Sequence, residues 1–175
     1  MLQIINGGTI SHARTAVSNV GWAGNDFAWG TQGGIIDANG ATFLNNKRDI
    51  QLISYHSYIG SFEKPYLARF VNCTFVRDNQ YGMEAPTAAV SIWDVNGARF
   101  YGCTFDNNAE ATKHSAGAYG IYALSSQLMV TESSEFPSSF VGYNYGVYAT
   151  DVCKTDKFTV IANSTFTNNR HGIYL

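Results

Sequence analysis

The side chains in this sequence best suited to acid–base chemistry are Asp94, Asp151 and Asp156, which lie just after strand-like segments and could approach one another. Two carboxylates about 5–9.5 Å apart would suit glycoside hydrolysis. The other acids are placed less well. Glu132 and Glu135 share one irregular stretch, and Asp37 aligns with Arg69 and Arg99 in a row of alternating sign, which on a surface contributes little energy. His12, His56, His114 and His171 occupy unlike positions, and Cys73, Cys103 and Cys153 lack zinc-site spacing. No metal or cofactor is expected from these residues. Aromatic side chains offer a second chemistry, because ring faces stack on sugar rings while nearby polar groups bind the hydroxyls. Trp22 and Trp29 lie in a Gly-rich insertion, Tyr55, His56 and Tyr58 in a second, and Trp93 near the same edge. A third insertion follows Asn108 and carries Glu110, Lys113 and His114.

These residues must be positioned by a repeat. Short motifs end on Ile10, Phe43, Phe75, Phe105, Phe136 and Phe166, at intervals of 33, 32, 30, 31 and 30 residues. One residue before each anchor stand Thr9, Thr42, Thr74, Thr104, Glu135 and Thr165. Two before it stand Gly8, Ala41, Cys73, Cys103, Ser134 and Ser164, all small. A short apolar strand precedes each motif, such as Phe70-Val71 or Val160-Ile161, and Asn or a substitute follows, as in Asn45-Asn46 and Asn168-Asn169. A further strand then opens, clearest at Tyr119–Ala123, Tyr145–Ala149 and His171–Leu175, with Gln51-Leu52-Ile53 and Tyr81-Gly82-Met83 as looser versions. Alternation places the anchor and the small residue inside and Thr outside. No repeat holds an amphipathic helical stretch, and the period is short of a propeller blade. The expectation is an all-β parallel β-helix of about six coils of ~30 residues, each about 4.8 Å above the last. Stacked anchors fill its interior, an Asn ladder lines a bend, and Cys73 and Cys103 share a small inward column one coil apart, as buried thiols or, at a separation that permits it, as a disulfide.

The rhythm Asn-Cys-Thr-Phe at 72–75, then Asn, then Gly-Ile-Tyr resembles the right-handed parallel β-helix (pectate-lyase-like) superfamily, most closely the β-helix segments of bacterial secreted and outer-membrane surface proteins. The resemblance spans the whole chain and implies the right-handed coil. Function does not follow from the coil, since lyases, hydrolases, tailspikes and adhesins share it. A net charge of −2 without a basic run excludes an electrostatic nucleic-acid binder, and no apolar run reaches the roughly 20 residues of a membrane span. Residues 1–175 read as one domain whose first and last strands carry no polar cap, so a segment of a longer solenoid, or end-to-end contact with another chain, is expected. The functional expectation is a non-catalytic structural or adhesive segment, extracellular or at the cell surface, binding polysaccharide or a surface glycan through Trp22, Trp29, Tyr55, His56, Tyr58 and Trp93. The alternatives are a fragment of a polysaccharide lyase, which would use calcium, or of a glycoside hydrolase, both drawing on Asp94, Asp151 and Asp156, and thirdly a tailspike-like shaft.

Overall fold

A computed structural model describes residues 2–20, 36–55, 68–83, 85–95, 97–151 and 159–175. Among these residues every regular element is a strand, and no helix is long and apolar enough to cross a membrane. The strands form three parallel sheets of six, each sheet taking one strand per repeat, so the chain is a parallel β-solenoid. The first sheet comprises Leu2–Ile5, Ile36–Asn39, Ala68–Val71, Ala98–Tyr101, Leu128–Thr131 and Thr159–Ile161. The second comprises Thr9–Ser11, Thr42–Leu44, Thr74–Arg77, Thr104–Asn107, Ser138–Val141 and Ser164–Thr167. The third comprises Val17–Val20, Ile50–Tyr55, Val90–Val95, Tyr119–Leu124, Tyr145–Thr150 and His171–Tyr174. The closed core occupies the four inner strands of each sheet, while outer strands such as Leu2–Ile5 and His171–Tyr174 are largely exposed.

Residues with positive φ turn the chain at each bend, a conformation that Asn, Asp and Gly reach most cheaply. Asn6, Gly40, Asn72, Gly102 and Asn163 follow the first sheet, His12, Asn45, Gly142 and Asn168 the second, and Ser125 and Asp151 the third, where Asp94 takes the same conformation near the end of Val90–Val95. The Asn residues at the second bend bond mainly to backbone rather than to one another. Asn46 donates to the Ile10 carbonyl and accepts from the Ala13 amide, and Asn169 repeats this with Phe140 and Tyr143.

Alternation along the second sheet sends its aromatics inward, where Phe43, Phe75, Phe105 and Phe140 are fully buried. Successive rings lie 4.5–4.9 Å apart and nearly parallel, ending on Phe166. Phe70 and Phe100 of the first sheet stack at 4.9 Å and meet this column edge-on. Burial of each such side chain contributes about 1.5–3 kcal/mol, and each aromatic pair about 0.5–1.5 kcal/mol more.

One rung departs from the sequence reading. Phe140, not Phe136, pairs with Phe105 and Phe166, while Phe136 is 56% exposed. Ser139 therefore replaces Glu135 in the Thr row, and Ser138 replaces Ser134 in the small column. The cause is a long bend after Thr131, closed by Ser133 Oγ, which accepts from the Glu135 and Phe136 amides. A second correction concerns Tyr81-Gly82-Met83. These residues lie in a bend, and the third-sheet strand of that repeat is Val90–Val95.

Candidate functional site

The outward face of the third sheet concentrates aromatic side chains. Strict alternation breaks at 119–122: Gly120 and Ile121 are both buried, which leaves Tyr119 and Tyr122 pointing out on either side of them. Register repeats this in the next rungs, giving two stacked columns. Tyr119, Tyr145 and His171 are spaced at 5.4 and 4.5 Å, and Tyr122, Tyr148 and Tyr174 at 5.3 and 4.7 Å. The inward glycines make room beneath, since a Cβ on Gly120 would stand 2.8 Å from the Phe140 ring. Burial against neighbouring rings, joined by the charge of Tyr145, pushes the Tyr119 hydroxyl above its usual pKa.

Both columns stop at the rung of Val90–Val95. Pairing of Val90 with Ile121 and Ser91 with Tyr122 sets Ala88 and Ser91 where the following rungs carry rings. The preceding rung, with Ile50 opposite Val90, brings Arg48 and Gln51 to the same two columns. The missing rings leave a cleft of about 390 Å³, lined by Arg48, Gln51, Ser91, Trp93, Tyr119 and Tyr122 among others. Tyr119 and Tyr122 are each covered on one face by the rung beyond, and their other faces look toward Ala88 and Ser91. Trp93 is 52% exposed at the cleft's side. The volume lies within the roughly 300–1,000 Å³ of small-ligand sites, and apolar walls with a few polar groups fit the usual pattern.

A buried polar group supports this wall from inside. Arg77, 1% exposed, donates from Nε to the Asn46 carbonyl and from Nη2 to the carbonyls of Lys47 and Thr87, the last lining the cleft. Asp49 precedes Ile50 in an inward column that holds Ala89, Gly120 and Gly146 in other rungs. Complete burial pushes its carboxyl up to about 7, against the opposing influence of the Arg77 charge and the Asn46 hydrogen bond. Tyr143, also fully buried, has its hydroxyl pushed up by the same loss of solvation.

The sequence-derived candidates divide clearly. Trp93 lines the cleft, and Tyr55 ends the strand that pairs with Val90–Val95. Trp22, Trp29, His56, Tyr58 and Asp156 lie outside the described residues. Asp94 and Asp151 occupy one column but two rungs apart, with Ser125 between them and donating its hydroxyl to Asp151. They form no direct carboxylate pair. Asp37 and Arg69 make the expected ion pair, at 2.9 Å. Glu132 accepts from Asn163, and Glu135 from Asn72. Among the described residues no three His, Cys, Asp or Glu side chains gather as a metal site. Sequence reasoning missed Arg48, Gln51, Tyr119 and Tyr122 as wall residues. The signal was present in the recurrence of Tyr-Gly-Ile-Tyr at 119–122 as Tyr-Gly-Val-Tyr at 145–148, but only the register with Ala88 and Ser91 reveals the gap. No family model matches the chain, and neither a curated protein nor a solved structure matches it.

Proposed function

We propose that the chain is a non-catalytic, carbohydrate-binding β-solenoid segment whose ligand lies in the cleft of the third sheet. The observation that carries this reading is the interrupted tyrosine ladder, in which two ring faces border a gap one rung high. A pyranose ring presents an apolar face of matching size, and Gln51 and Ser91 supply amide and hydroxyl partners for its hydroxyls. Trp93 offers a further platform beside them. The chain's resemblance to β-helix segments of bacterial secreted and surface proteins supports an adhesive role outside the cell, with polysaccharide or a surface glycan as the partner. A glycan array of the purified chain, with bound polymers followed for release of reducing or unsaturated ends, tests the proposal. Binding without turnover, reduced at least about tenfold by Tyr122→Ala or Trp93→Ala, is expected from the loss of a stacking platform. Turnover of any bound polymer, or absence of binding to every glycan, would overturn it.

A further inference from the structure

The cleft holds one charged side chain among its described lining residues, and that is Arg48. Its position follows from the ladder. Arg48 stands two residues before Ile50, as Tyr119 stands two before Ile121, so it faces Tyr119 across the gap above Ala88. The guanidinium is half-buried, and its Nε is shielded from solvent with no acceptor in contact. Among the described residues no carboxylate pairs with it, and the loss of solvation lowers its pKa with no acidic neighbour opposing the shift. The neighbouring acid, Asp49, points into the core toward Arg77. The free protein thus keeps a partly desolvated cation, and a donor without an acceptor, on the wall of an aromatic cleft. Guanidinium groups bind carboxylate and sulfate oxygens through paired N–H donors.

We infer that Arg48 is a specificity-determining residue that selects sugars bearing an anionic substituent, a carboxylate or a sulfate ester. The inference rests on the carbohydrate-binding reading above. With the sugar ring stacked on Tyr119 and Tyr122, the substituent projects toward Arg48, draws the guanidinium into the cleft and supplies the acceptor that Nε lacks. Gln51 and Ser91, uncharged, remain for the hydroxyls.

The test compares two matched polymer pairs by titration calorimetry at fixed ionic strength. One pair is a polyuronate and its carboxyl-reduced form, and the other a sulfated galactan and its desulfated form. The expected result is that the wild type binds at least one charged member more tightly than its neutral counterpart. Arg48→Gln should weaken that charged ligand at least about tenfold, the worth of a charge-assisted contact, while changing the neutral one less than about twofold. Arg48→Lys should restore affinity only in part, because the ammonium lacks the planar fork. Which pair responds distinguishes carboxylate from sulfate. Equal binding of charged and neutral members, or equal weakening of both by Arg48→Gln, overturns the inference and leaves the carbohydrate reading standing. Failure of all four polymers to bind overturns the inference, and the carbohydrate reading falls with it only if the glycan array is blank as well. Since the Arg48 side chain makes no hydrogen bond through Nε, Arg48→Gln should keep the wild-type melting curve, which verifies that the variant is folded.

Discussion

Replacing Asp49 by Asn should remove much of the pH dependence of this protein's stability. Asp49 has a carboxyl raised from 3.8 to about 7 by complete burial. Between those values the native chain holds a proton that the unfolded chain has released. Stability therefore falls as pH rises through this window, and the loss is complete once the pH passes the folded value. A rise of about three pKa units corresponds to about 4 kcal/mol, at 1.36 kcal/mol per unit. Asn presents an acceptor to Asn46, as Asp49 does at 2.9 Å, without carrying the titrating proton. Urea unfolding at pH 4.5 and pH 8 measures the effect in both proteins. About 3 kcal/mol of this falls between those two pH values, so with a slope of about 2 kcal/mol per M the wild-type midpoint should drop by about 1.5 M relative to the variant. Comparing the two proteins cancels other groups, including Asp78, whose carboxyl is held below its usual range by Asn45 and titrates with the opposite sign. Parallel midpoint-against-pH curves for the two proteins would refute the reasoning, because they would mean that Asp49 titrates alike in the folded and unfolded chains.

Further outcomes follow from packing. Phe105→Ala empties the middle of the aromatic column, where the ring stacks on both Phe75 and Phe140 at 4.5 Å. It should cost about 3–5 kcal/mol in denaturant unfolding. Gly120→Ala would place a methyl group 2.5 Å from the Gly146 carbonyl oxygen and should cost at least about 1–3 kcal/mol, whereas Gly82→Ala, with nothing nearer than 4.0 Å, should stay within about 0.5 kcal/mol. Thermal melts of the two variants separate these outcomes. Cys73 and Cys103 are buried free thiols, and burial raises the Cys103 pKa. In a Cys153→Ser background neither should react with an aromatic disulfide reagent until the chain unfolds, and rapid labelling of native protein would contradict the packing.

The solenoid was legible in the sequence because its inward anchors are large, alike and separated by bends of similar total length. The reading failed at Phe136, where the bend after Thr131 lengthens and the next bend, at 142–144, shortens. The two changes nearly cancel, so the false anchor kept the period while losing the register. The site was less legible. Trp93 advertised itself, but the cleft is defined by what Ala88 and Ser91 lack, and a missing ring is visible only once the neighbouring rungs are aligned. Asp49 was hidden for a related reason. Nothing distinguishes it from a surface acid until Ala89, Gly120 and Gly146 are seen to share its inward column.

The pairing of each strand with the equivalent strand of the next rung also has a mechanical consequence. The backbone hydrogen bonds between rungs run along the solenoid axis, so a pull along that axis loads successive interfaces in series and not in shear. Each interface then fails by itself, giving a sawtooth of short extensions instead of one large rupture. Among the described residues, the junction between the rungs of Tyr145–Thr150 and His171–Tyr174 holds three, four and three register pairs in its three sheets. The junction before it holds four, three and five, so under tension the former should part first.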